Sequence, residues 1–231
     1  MPTVLPGPRP GTGRPAAVSA LLALGAFAYS AWLIEPFLGT GLSPVSSYVS
    51  ELAAQDQPFG TLFRTTDLTA GLLVLTAAVS ALLWLPRRWA TNAGWAGLAL
   101  FGAATAVDSR LPMSCAPTAD AGCAARERAG LVPATHAAHV VSSSVAVTGA
   151  LVGVVVLTLA ARRCGVLPSL AGTLALFLVL LELAATTWTL AAIAAFDAGQ
   201  GTWGMGIGQR LQVLLIAVWV GLLARAVVRR G

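Results

Sequence analysis

The stretch SPVSSYVSELAAQDQPF, residues 43–59, is polar and acid-bearing, and apolar runs flank it on both sides. A chain that alternates such runs with short polar stretches crosses a bilayer repeatedly, because about 20 mostly apolar residues are needed per helical span. Outward from residues 43–59, six segments approach that length: Ala16 to Ile34, Leu68 to Leu85, Ala90 to Val107, His136 to Leu159, Val166 to Phe196 and Leu211 to Val228. Backbone groups in lipid must bond internally, so each is expected to be a helix. The expected fold is all-α, a polytopic integral membrane bundle of six transmembrane helices forming one domain over residues 16–231. The preceding tail, residues 1–15, is rich in Pro and Gly and reads as disordered. Arg9 and Arg14 precede the first apolar run in the layout of a signal peptide, but the run continues through Ile34 without a cleavage site and is read as a membrane helix.

Composition agrees. Charged residues make up 10% of the 231 residues and hydrophobic ones 57%, where a soluble domain carries about 25% charged residues. All fourteen basic residues are arginine, and they sit in short groups at the ends of apolar runs rather than in a stripe with interleaved aromatics. That placement excludes nucleic acid as a partner and marks topology anchors. Nine arginines, including Arg87, Arg88, Arg162, Arg163, Arg225, Arg229 and Arg230, fall in the tails and in two of the connections, PRRWATN and ARRCGVLP. Five fall on the opposite side, which also carries eight of the nine acids, and only Glu182 lies inside a span. The positive-inside rule then puts both termini in the cytoplasm of a multi-pass cell-membrane protein. The two short inner connections make the second and third spans, and the fourth and fifth, antiparallel neighbours.

Cys115 and Cys123 share the outward connection SCAPTADAGCAARERAG, whereas Cys164 lies alone on the cytoplasmic side. An oxidising compartment makes a disulfide between the first two the leading reading. A metal pair is the rival, although seven intervening residues match no familiar zinc spacing.

The polar stretch offers Tyr48 and Glu51, with Val45, Val49, Leu52 and Ala53 at nearly helical spacing, so either an interfacial amphipathic helix starting at Ser43 and Pro44 or a solvated loop fits it. Asp67 and Asp108 sit where the second and third spans meet the outer surface. His136 and His139 share one face of the fourth span, and Arg210 begins the sixth at the same level. These groups form either an acid–base site or an ion-pair ring in which Arg110 or Arg210 satisfies an aspartate.

Glu182 lies within VLLELAATTWTLAA, with Thr186 and Thr189 on its face and Trp188 nearby. A carboxyl at bilayer centre costs about 2.5–3.5 kcal/mol on insertion scales. It must therefore face a partner or a cavity, where it can donate a hydrogen bond or a proton. Packing through an interhelical hydrogen bond is the plainer alternative. The glycines of GQGTWGMGIGQR contain GxGxxG, but no strand precedes them, so a dinucleotide site is excluded.

The string SPVSSYVSEL, set between two spans, resembles the signature of the membrane family catalogued as domain of unknown function 998. Asp108, His136, Gln209 and Arg210 fall where that family tends to place polar residues. The resemblance runs from about Ala16 onward and implies six helices without established chemistry. A looser similarity in size, helix content and sparing use of acids links the chain to small membrane-bound terpene cyclases.

Three functions follow from these readings. An integral membrane enzyme would act on a lipophilic isoprenoid or lipid, with Glu182 or Asp108 as general acid, Glu51, His136 or His139 accepting the final proton, Arg210 completing the polar group, and Trp188, Tyr48 and Asp67 contacting substrate. A non-enzymatic carrier or assembly protein would use the same residues for gating or packing. A metal-dependent lipid hydrolase like the alkaline ceramidases has too few histidines, two in the whole chain. No metal and no other cofactor is expected.

Overall fold

The computed structural model describes residues 13–86, 88–163 and 169–229, and among these the chain is all-helical without a strand. Seven α-helices occur: α1 Gly13–Tyr29, α2 Gly60–Trp84, α3 Trp89–Asp108, α4 Ala121–Arg128, α5 Ala134–Arg163, α6 Ser169–Asp197 and α7 Met205–Val228. Two 3-10 segments, Ala31–Phe37 and Val49–Ala53, lie between α1 and α2. The expectation for Cys164 and most of the expected tail, residues 1–12, lie outside the described residues.

Five helical segments are long and apolar enough to cross a membrane: Gly13–Phe37, Gly60–Trp84, Ala134–Arg163, Gly172–Asp197 and Met205–Val228. The protein is therefore of multi-pass membrane type. α3, the remaining expected span, has 20 residues, a length of about 30 Å at 1.5 Å per residue. It is rich in Gly and Ala and does not reach the apolarity of the five.

The large helices pack in the order α5, α3, α2, α1, α7, α6, and α6 returns to touch α5 to complete a ring. The α5–α6 seam is the thinnest contact between ring neighbours, although a short connection joins these two helices. Large apolar side chains such as Phe27, Leu83, Val141, Phe177, Leu180 and Leu190 point outward, while Gly and Ala fill the interfaces. That inverted arrangement suits lipid, where close backbone approach rather than expulsion of water drives helix association. Gly71 and Gly102 show the effect: a Cβ on either residue would lie 2.7 Å from the carbonyl oxygen of the other. The interior contains Leu22, Val74, Leu98, Phe101, Val154, Ile216 and Trp219.

The long helices α1, α2, α3, α5, α6 and α7 reverse direction in turn, so the ring has a terminal end and a disulfide end. Arg88, Arg162, Arg163, Arg225 and Arg229 mark the terminal end. Residues 30–59, α4 and the α6–α7 connection lie at the disulfide end. Helices begin earlier there than hydropathy indicates. α2 starts at Gly60 rather than Leu68, so Asp67 lies two turns inside a helix, and α7 starts at Met205 within the Gly-rich approach. Residues 43–59 form no amphipathic helix. Ser43 accepts from the N–H of Ser46 and caps a turn, and only Val49–Ala53 is helical. Leu52 and Ala53 are turned inward, packed on Phe63 and beside Trp32, whereas Val45 is half exposed.

Candidate functional site

Residues 43–59 are clamped to α7 through Arg210. Its Nε and Nη2 donate to both carboxylate oxygens of Glu35 at 2.7–3.0 Å, and Nη1 donates to the carbonyls of Pro44, Ser47 and Gly206. Arg210 and Glu35 are 8% and 4% exposed, so every guanidinium donor is spent inside the protein. Gln209 accepts from the N–H of Val49, and the N–H of Gly206 donates to Val45. Gly206 makes this approach possible, because a Cβ there would stand 2.5 Å from the Pro44 carbonyl oxygen. The ion pair expected between Arg110 or Arg210 and an aspartate is thus replaced by Glu35–Arg210. Glu35 was missed because it closely follows an apolar run and reads as an interfacial charge.

Glu51 is 0% exposed. It accepts from the N–H of Tyr48 at 3.1 Å and the N–H of Thr118 at 2.7 Å, and also from the Thr118 hydroxyl. Burial pushes its carboxyl above the ordinary range, against hydrogen bonds from Thr118, Ser47 and Tyr48 that pull it down. Burial, followed by the nearby Asp197, Glu127 and Glu51, likewise pushes the Tyr48 phenol up. Thr118 lies between Cys115 and Cys123, which form a disulfide. The same connection folds into α4, with Asp120 accepting from the N–H of Gly122 as its N-cap.

His136 and His139 share α5 but diverge. The N–H of Ser114 points at His136 Nδ1, 3.2 Å away, so that nitrogen accepts and Nε2 carries the proton, facing Glu127 at 3.5 Å. His139 is the opposite tautomer. Its Nδ1 lies 3.1 Å from both Asp108 Oδ1 and the Leu111 carbonyl, two acceptors, so in the neutral ring Nδ1 carries the proton and Nε2 the lone pair. Asp108 also accepts from Ser142 and, at 2.9 Å, from Ser143. Asp67 lies within electrostatic reach of Asp108 and His139. The serines escaped the sequence reading, although their i+3 and i+4 spacing from His139 was a usable signal.

Glu182 is 2% exposed. Its Oε1 lies 3.3 Å from the Thr186 hydroxyl, which accepts at 2.9 Å from Gln212 of α7. The other oxygen, Oε2, and the Thr189 hydroxyl are buried without a hydrogen-bond partner among the described residues. Tyr29, edge-on to Phe101 at 5.2 Å, lies within electrostatic reach of Glu182, Asp67 and Asp108. Trp188 donates to the Trp203 carbonyl and pins the Gly-rich connection, while Trp219 donates to Thr158 and ties α7 to α5.

The structure therefore brings together Asp67, Asp108 and His139, and Tyr29 lies within electrostatic reach of both this group and Glu182. It separates Glu51, Arg210 and His136 into contacts that fasten the disulfide end. Among the described residues no group of three or more His, Cys, Asp or Glu side chains could hold a metal ion.

No curated protein and no solved structure matches the chain. The family profile described as "Protein of unknown function (DUF998)" matches residues 21–226, and the chain belongs to that family.

Proposed function

We propose that this protein is an integral membrane enzyme acting on a lipophilic small molecule, an isoprenoid or another lipid, by proton transfer from Glu182. The observation that carries the reading is the buried Glu182 Oε2, which has no hydrogen-bond partner among the described residues. An intramembrane ionisable group that is not spent on packing is a functional site by default. Cyclisation started by protonating an olefin or, more easily, an epoxide uses such an acid. Tyr29, packed edge-on with Phe101 and within electrostatic reach of Glu182, is the aromatic group placed to stabilise a developing cation in this reading. His139 Nε2, held by Asp108, accepts the final proton. Asp67, Tyr48 and Trp188 meet substrate near the disulfide end, while Arg210, Glu51 and His136 hold the frame.

In this reading α3 is the sixth span and the termini are cytoplasmic in the cell membrane. The arginines at the terminal end support that orientation, as does the disulfide at the other. The lipid bilayer and the lipophilic substrate are the partners.

Mass spectrometry of membrane extracts incubated with a panel of isoprenoids tests the proposal. Wild type should yield a product of unchanged mass and altered retention, and Glu182→Gln should lower its formation by roughly 10²-fold or more, the scale of a lost general acid. Folded wild-type protein without product from the panel would shift the reading to a carrier, which the position of Tyr29 within electrostatic reach of Glu182, Asp67 and Asp108 also favours. Proton flux in proteoliposomes, abolished by the same substitution, would then be the readout.

A further inference from the structure

Three consecutive serines, Ser142, Ser143 and Ser144, follow His139 on α5. Ser144 donates to the Val140 carbonyl at 2.7 Å, and Ser142 has the Ala138 and His139 carbonyls as well as Asp108 within reach. Both follow the back-bonding usual for serine in a helix. Ser143 does not. Its Oγ lies 2.9 Å from Asp108 Oδ2 and 3.4 Å from His139 Nε2, the nitrogen with the lone pair. The three side chains thus present a hydroxyl, a base of fixed tautomer and an acid that orients the base.

We infer that Ser143, His139 and Asp108 are the nucleophile, general base and orienting acid of an acyl-transfer site for an ester of a membrane lipid. Such a constellation is recognised by geometry and roles rather than by chain order. The resting Ser143 hydroxyl rests on Asp108 and turns to His139 Nε2 when substrate arrives. Ser143 Oγ then bonds to the ester carbonyl carbon as Nε2 takes its proton. The bond from that carbon to the alcohol oxygen breaks, and the alcohol leaves with the proton from Nε2. Water attacks the acyl-serine, gives a proton to Nε2, and the carboxylic acid leaves as the proton returns to Ser143.

The other side of the same helix is open to lipid. An apolar groove of about 360 Å³, lined by Leu100, Val140, Val141, Ser144, Val145 and Thr148, opens on the outer face of α3 and α5. Its α5 residues are exposed on the lipid-facing side of the helix, whereas His139 and Ser142 are buried on the inward side, so the groove and the polar group occupy different faces of α5. α5 is a membrane span, so the groove faces hydrocarbon.

This inference goes beyond the acid-initiated reading and needs no Glu182. Purified full-length protein in lipid nanodiscs would be treated with an alkyl fluorophosphonate, which phosphonylates an activated serine with loss of fluoride, and the adduct located by peptide mass spectrometry. The expected result is an adduct at Ser143 in wild type, in Glu182→Gln and in the surface variant Thr187→Ala. It should be lost in Ser143→Ala and slowed by roughly 10²-fold or more in His139→Gln, the contribution of a general base. As a second readout, Ser143→Cys should react with iodoacetamide at least roughly tenfold faster than Ser143→Cys/His139→Gln, because the base raises the thiolate fraction. Folded wild type without an adduct at Ser143, or rates indifferent to His139 in both assays, would overturn the inference. Loss of isomerised product in Glu182→Gln with retained labelling separates this site from the acid-initiated one.

Discussion

Arg210 is the most heavily bonded side chain at the disulfide end, and its removal leaves Glu35 as a buried carboxylate without a counter-charge. Arg210→Met should cost about 3–5 kcal/mol, whereas the double variant Glu35→Leu/Arg210→Met should recover most of that loss. Thermal unfolding in detergent, followed by tryptophan fluorescence, reads both. Glu51 behaves differently because both of its oxygens accept from main-chain N–H groups. Glu51→Gln turns an amide donor against one of those donors and should cost about 1–3 kcal/mol. Its folded pKa is raised, so the folded state binds more protons than the unfolded one near that pH. The stability from this group is fully present below the unfolded carboxylate value of about 4.3 and is lost as pH rises through the folded value. The midpoint of wild type should therefore fall over that interval relative to Glu51→Gln. At this scale the sequence named many of the reactive groups but few of their partners. Glu182 with Thr186 was legible from helical spacing, because both lie on one element. Glu35 with Arg210 was not, since 175 residues separate them.

The elements are held by backbone approach. α2 and α3 meet at Gly71 and Gly102, where a Cβ on Gly102 would stand 2.5 Å from the Leu75 amide nitrogen. Gly102→Val should force the helices apart at a cost of about 1–3 kcal/mol or more, seen as aggregation in size-exclusion chromatography, while Ala103→Val at a partly exposed position should leave the profile unchanged. Hydropathy located five helices long and apolar enough to cross a membrane, because lipid-facing side chains are apolar whatever their neighbours. It placed their disulfide-end starts poorly. The first two turns of α2, containing Arg64, Thr65, Thr66 and Asp67, are polar yet helical, since Arg64 donates to the carbonyls of Ala53 and Ala54 and anchors that end. The short helix α4 was likewise unread, its start set by the Asp120 cap rather than by any apolar period.

The whole molecule is a ring with arginines at one end and a disulfide at the other, and that asymmetry predicts its orientation. In a chain with its native cysteines replaced by serine, a cysteine introduced at Gln57 should react with an impermeant maleimide added to intact cells, and one introduced at Thr91 should react only after permeabilisation. The reverse pattern would invert the topology and remove the positive-inside argument. The disulfide adds a condition of its own. Thr118, which latches Glu51 with its N–H and hydroxyl, lies within the loop closed by Cys115 and Cys123. Seating of residues 43–59 is thereby linked to sulfur oxidation as well as to insertion into lipid. In a chain whose thiols are still free, residues 43–59 are expected to keep their Arg210 clamp while the Thr118 latch on Glu51 loosens, so joining the two sulfurs is the step that completes the cap.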